Sequence, residues 1–191
     1  EGNFNGSYWA DKAFPASYRE AFVEASRQYA EHLAGKKWNR TMFHVFLNNK
    51  VDFKKNGWKR ASSVWLLDEP ANWQDYVALG WFGEAFHEGF RKANRTVAML
   101  YRCDISRPEW QRDALDHLLD YNVVAGEPFL IYNRLILERK YQFGQVVMVY
   151  GTTNHPRESN VQPVAWAIDT WSHGGDGILP WQTVGTSESW N

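Results

Sequence analysis

Residues 63–70 read Ser63-Val64-Trp65-Leu66-Leu67-Asp68-Glu69-Pro70, and the way this stretch is read decides the fold. Its near-continuous apolar run suits a strand buried on both faces. Pro70 cannot donate to a ladder and marks the strand's end. Asn72 is a ready helix cap, and a long helical pattern follows over residues 73–92. The stretch therefore predicts a strand that ends on two carboxylates and is followed at once by a helix.

Outward from it the same alternation recurs. On the N-terminal side, Phe22, Ala25, Tyr29 and Leu33 stand at helical spacing and predict a helix over 15–34, with Gly35 as its stop. A strand over 41–47 follows, ending at Asn48-Asn49-Lys50, and then a polar loop over 52–62. On the C-terminal side the strands are expected at 96–101, 121–125, 145–150 and 177–181. Helices are expected between them at 108–118, 129–141 and 161–171. Strands alternating with helices indicate a parallel sheet covered on both faces. The expected fold class is α/β, a (β/α)8 TIM-barrel type with about six βα units and the first two missing. A closed barrel of this type takes about 250 residues and at least roughly 200, against the 191 here. An open doubly wound sheet usually begins with a Gly-rich phosphate turn, which this sequence lacks. Residues 1–191 are expected to form a single catalytic-barrel domain, a fragment of a larger protein.

Composition narrows the partners. A formal net charge of −1 offers no field for a phosphate backbone or an anionic membrane surface. No apolar run reaches the roughly 20 residues of a membrane helix. Nucleic acid and membrane are not expected as partners. Cys103 is the sole cysteine, so neither a disulfide framework nor a cysteine-based metal site is expected within the chain. It does not fix a compartment, and an extracellular or periplasmic one is compatible with it. The 11 Trp, 9 Tyr and 11 Phe stand out. Most serve core packing, but an indole also stacks on the apolar C–H face of a sugar, so a Trp-rich site favours carbohydrate.

The chemistry is expected at Asp68 and Glu69. Two adjacent carboxylates repel, so one is expected to hold its proton. Glycoside cleavage needs that division: one acid for the leaving oxygen and one carboxylate kept ionised. A conventional retaining mechanism needs a second carboxylate about 5 Å away. Asp104 and Glu127 are the candidates at later strand ends, and neither is compelling. Substrate-assisted cleavage needs no protein nucleophile, because the 2-acetamido oxygen of the sugar attacks. There Glu69 serves as acid/base and Asp68 orients the acetamido nitrogen.

Three elements carry a family resemblance: Trp65-Leu66-Leu67-Asp68-Glu69-Pro70, Asn48-Asn49-Lys50, and the run Gly174-Gly175-Asp176-Gly177-Ile178-Leu179-Pro180-Trp181-Gln182-Thr183 with Val184-Gly185-Thr186 after it. Together they resemble the glycoside hydrolase family 123-like catalytic domains, including the group long labelled domain of unknown function 4091. The resemblance covers about residues 8–191. It implies a (β/α)8 barrel and a β-N-acetylgalactosaminidase-like hydrolase working by substrate-assisted retention. Carried over, Glu69 is the acid/base and Asp68 the acetamido-orienting residue. Such proteins generally have β-rich flanking domains, so flanking domains or another chain are expected to complete the barrel.

Around the doublet, Tyr101 and Tyr150 are candidates to donate to the acetamido or ring oxygens. Trp65 and Trp181 are candidates for a stacking wall, and Asn48 and Gln182 for hydroxyl contacts. Arg102 reads as a strand-end salt-bridge partner that can also steer an anionic sugar. His44, His87, His155 and His173 show no metal-binding spacing, so no metal and no cofactor is expected. Gly174-Gly175-Asp176-Gly177 leads into a strand rather than a helix, which rules against a phosphate loop. The competing reading outside enzymology is a non-catalytic carbohydrate-binding barrel.

Overall fold

The computed structural model describes residues 7–48, 64–93, 97–151 and 159–181. In chain order these form α1 (Ala16–Gly35), β1 (Met42–Phe46), α2 (Trp73–Lys92), β2 (Ala98–Ile105), β3 (Tyr121–Ala125), α3 (Gly126–Ile131), α4 (Asn133–Phe143), β4 (Val146–Gly151), α5 (Val161–Ser172) and β5 (Gly177–Pro180). The strands make one parallel sheet in the order β1-β2-β3-β4-β5. Representative registers are Val45↔Tyr101, Asp104↔Val123, Val124↔Val149 and Tyr150↔Leu179. The sheet is a curled half-barrel. A strictly sequential order has no point of reversal, which a doubly wound sheet requires. Five strands do not close an eight-stranded barrel, so the described residues form a mixed α/β half-barrel, compatible with an incomplete α/β barrel but not with a full TIM barrel.

The decisive stretch departs from expectation. Ser63 lies outside the described residues, and residues 64–70 join no ladder. β1 pairs directly with β2 instead, which leaves five strands among the described residues rather than about six. The backbone donors of the stretch are taken elsewhere. Leu66 N–H bonds Asp75 Oδ1 at 3.1 Å, and Glu69 N–H bonds the Asp104 carbonyl at 3.1 Å. Trp65 and Leu67 are buried by packing against α2 and β2 rather than between strands. Asp75, 1% exposed, holds the rest of the turn. Its Oδ2 accepts the N–H groups of Ala71 at 3.0 Å and Asn72 at 2.8 Å, which completes a capping box with Asn72.

Two helices also differ. The expected helix over 108–118 is a single 3-10 turn, Pro108–Trp110, followed by irregular chain. Arg112 at φ 49° and His117 at φ 63° sit in the left-handed region and stop helical propagation. The expected helix over 129–141 is split into α3 and α4 at Tyr132, whose φ of −105° and ψ of 22° break the ladder. The polar loop over 52–62 lies outside the described residues.

α1 and α2 cross in close contact. A Cβ on Gly89 would lie 2.6 Å from the Val23 carbonyl and the Ser26 Cβ, so only glycine permits that approach. The main core lies between α2 and the outer face of β2, where Tyr76, Leu79, Tyr101, Cys103, Ile105 and Leu115 are fully or almost fully buried. Burial pushes the Cys103 thiol pKa well up. No described helix is long and apolar enough to cross a membrane.

Candidate active site

Side chains of a strand alternate between faces. Tyr101, Cys103 and Ile105 point to α2, so Arg102 and Asp104 point to the concave side of the sheet. There they meet Asp68 and Glu69 from the irregular turn, and Tyr150 from β4. A hollow of about 190 Å³ is lined by Phe46, Asn48, Asp68, Glu69, Asp104, Tyr150, Leu179 and Trp181.

Each carboxylate is held differently. Glu69 adopts φ 60°, a conformation rare for a residue with a Cβ. In that pose its carboxylate accepts a short hydrogen bond from the Tyr150 hydroxyl. Burial, and then the Glu69 hydrogen bond and charge, push the Tyr150 pKa well above the usual phenol value. The phenol thus remains a donor at neutral pH. Asp104 is gripped by both prongs of Arg102, Nε to Oδ1 at 2.6 Å and Nη2 to Oδ2 at 2.8 Å. The guanidinium lies over the Phe46 ring, 4.4 Å from its centre. Burial works against the Arg102 charge, but the Asp104 hydrogen bonds and charge outweigh it and raise the Arg102 pKa. Asp68 is only 6% exposed. Lower on the same face His44 stacks on Tyr121, ring centres 5.3 Å apart and nearly parallel. Burial, and then the Arg102 charge, lower the His44 pKa.

The structure gathers five of the eight expected site residues: Asp68, Glu69, Asn48, Tyr150 and Trp181 all line the hollow. Trp181 is 49% exposed, as a stacking wall requires, and its backbone N–H donates to the Gly151 carbonyl at 2.8 Å. Gln182 lies outside the described residues. Two expectations need correction. Trp65 is 3% exposed, and its indole N–H donates to the Tyr8 carbonyl at 2.8 Å, so it is a core residue. Tyr101 is fully buried and its hydroxyl donates to the Leu79 carbonyl at 2.9 Å, on the opposite face of β2 from the hollow. Of the two candidate nucleophiles, Asp104 is in the hollow. Glu127 instead lines a separate cavity of about 540 Å³ between α3 and α5.

Sequence reasoning missed that Arg102 and Asp104 act as a pair inside the cleft. The signal was present as the alternation of charged and apolar residues over 101–105. Among the described residues no group of three or more His, Cys, Asp or Glu side chains could hold a metal ion. Comparison with family models, curated proteins and solved structures finds no match for this chain.

The arrangement sets ionisable groups beside an apolar surface. Three carboxylates share a narrow hollow with one phenol donor. An exposed indole, Trp181, gives the same hollow an apolar platform.

Proposed function

We propose that the chain is a glycoside hydrolase that cleaves β-linked 2-acetamido sugars, of the N-acetylgalactosaminide kind, by substrate-assisted retention. The observation that carries this reading is the strained Glu69, aimed at the Tyr150 hydroxyl in a hollow it shares with the nearly buried Asp68. Backbone strain of this kind costs on the order of 1–3 kcal/mol and persists where the surroundings enforce it. Glu69 protonates the leaving oxygen as the acetamido oxygen attacks the anomeric carbon. Asp68 accepts the acetamido N–H and stabilises the positive charge that develops on the cyclised amide. Glu69 then takes a proton from the water that opens the ring, which restores the starting configuration. Tyr150 fixes the Glu69 carboxyl, and Trp181 stacks on the sugar.

The hold of Arg102 on Asp104 supports this choice over a protein nucleophile. With both oxygens bridged, that carboxylate is a poor attacking group, and Glu127 is outside the hollow. We further propose that the half-barrel belongs to a (β/α)8-type barrel completed by flanking β-rich domains or another chain. Exposed apolar side chains beside both edge strands support this: Trp38 and Met42 near β1, Ile168 and Trp171 on the helix leading into β5.

The test is an assay of aryl β-N-acetylgalactosaminide and glucosaminide against plain galactoside and glucoside, with wild type, Glu69→Gln and Asp68→Asn. Hydrolysis confined to acetamido sugars and lost in both variants is expected. Cleavage of plain sugars alone would overturn substrate assistance. Binding without turnover in all three proteins would favour a non-catalytic carbohydrate-binding barrel.

A further inference from the structure

Apart from the acidic hollow, a cavity of about 330 Å³ is lined by Trp73, Glu109, Trp110 and Arg112. Both indoles are about half exposed, Trp73 at 48% and Trp110 at 49%. Each is steadied by a guanidinium. Arg112 lies 5.9 Å from the centre of the Trp73 ring, and Arg107 lies 5.5 Å from that of Trp110. Such cation–π contacts fix the orientation of a ring that would otherwise sweep through solvent. Two large apolar rings left open to water side by side carry a cost that a folded surface normally avoids. Glu109 adds a carboxylate, one oxygen of which is buried without a hydrogen-bond partner among the described residues. Arg112 is held at φ 49°, a strained pose for a residue with a long side chain. Its carbonyl is clamped by the Arg139 guanidinium. The cavity thus combines two indole faces with carboxylate acceptors on Glu109 and N–H donors on Arg112. A pyranose presents that same combination of an apolar C–H face rimmed by hydroxyls.

Its position relative to the acidic hollow is set by the chain. Trp73 follows Glu69 by four residues, and Trp110 follows Asp104 by six. At about 3.5 Å per extended residue these indoles are anchored within roughly 14 and 21 Å of the two carboxylate positions. Both stand on the rim where strands end and helices begin, which is the functional face of this architecture.

We infer that the Trp73–Trp110 cavity is a second sugar-binding subsite, which takes a remote pyranose of an oligosaccharide whose terminal unit occupies the Glu69 hollow. The ligand class rests on the glycoside-hydrolase reading. The subsite makes the chain an enzyme of extended glycans rather than of short glycosides, because binding energy gathered at a distance can be used at the reacting centre.

The experiment separates the subsite from the catalytic reading. Binding of triacetylchitotriose, galactotriose and cellotriose to Glu69→Gln is measured by calorimetry, with Trp73→Ala, Trp110→Ala and Trp110→Phe added singly. At least one trisaccharide is expected to bind. Each alanine variant weakens that binding about tenfold, the loss typical of truncating one central indole, and Trp110→Phe recovers part of it. In the Glu69 background each alanine variant also lowers kcat/KM for the trisaccharide relative to the aryl monosaccharide by a similar factor. Glu69-dependent cleavage with no change of that ratio overturns the subsite and leaves the activity standing. Trp110-dependent binding without any turnover upholds the subsite and sinks the activity. No binding of any trisaccharide to Glu69→Gln overturns the subsite.

Discussion

Two segments deliver carboxylates to one hollow, and they are built in opposite ways. Asp104 rides on β2, a regular strand paired on both sides, and a guanidinium grips both its oxygens. Glu69 sits on a turn that joins no sheet, in a left-handed conformation, and accepts a hydrogen bond from a phenol. A guanidinium that bridges both oxygens fixes a carboxylate in place at two points. A single hydroxyl donor fixes a carboxylate's direction through one oxygen. The regular strand supplies a carboxylate clasped at both oxygens, and the irregular turn supplies the one that the proposed reaction uses as acid/base.

The sharpest way to break that contrast is to remove each carboxyl separately. Glu69→Gln is expected to cut turnover of an aryl acetamidoglycoside by about 10³-fold, within the range of general acid–base catalysis, and Asp104→Asn by far less. Equal losses would make Asp104 a reacting group. Next comes the anchor of the turn. Asp75 accepts three backbone N–H groups while almost fully buried. Asp75→Asn is expected to destabilise the chain by about 3 kcal/mol, since bonds to a buried charge are strong and their donors are left stranded. That corresponds to roughly 6–12 °C in thermal unfolding for a chain of this size. An unchanged melting temperature would mean that the turn is held by something else.

Tyr150→Phe is a milder probe. Losing one hydrogen bond to a carboxylate is expected to lower kcat about tenfold. Because the Tyr150 pKa is pushed up by burial and by Glu69, the phenol does not ionise below about pH 10. The alkaline limb of the pH–rate profile should therefore coincide in wild type and Tyr150→Phe. The smallest effect is at His44. Its pKa is lowered in the fold by burial and by Arg102, so below its unfolded value of about 6.5 the unfolded state binds the proton better. Stability is present above that pH and falls as the pH drops through it. His44→Phe should make the fall in melting temperature between about pH 6.5 and 5 slightly shallower.

The regular elements were readable from local pattern. The helix over 73–92 and the strand over 121–125 match the observed bounds, because period and caps both act within a few residues. The stretch at 63–70 misled for a physical reason. Trp65 and Leu67 are buried, but packing against α2 and β2 gives the same apolar composition as burial in a ladder. What removes it from the sheet is Asp75, a side chain that takes the turn's N–H groups for itself. The Asp68-Glu69 doublet was visible as chemistry. Its partner Tyr150 stands 81 residues away and was legible only as a strand end, not as a hydrogen bond. Trp65 and Tyr101 were misassigned because residue type says nothing about which face of the chain is open.

Cys103 gives the molecule a built-in reporter. It is the single sulfhydryl of the sequence, wedged beneath β2 between the two residues of the Arg102–Asp104 clasp, and its high pKa keeps it unreactive while covered. Alkylation can proceed only when β2 parts from α2. The labelling rate therefore counts excursions of the strand that carries the Arg102–Asp104 clasp, one event at a time, on unmodified protein.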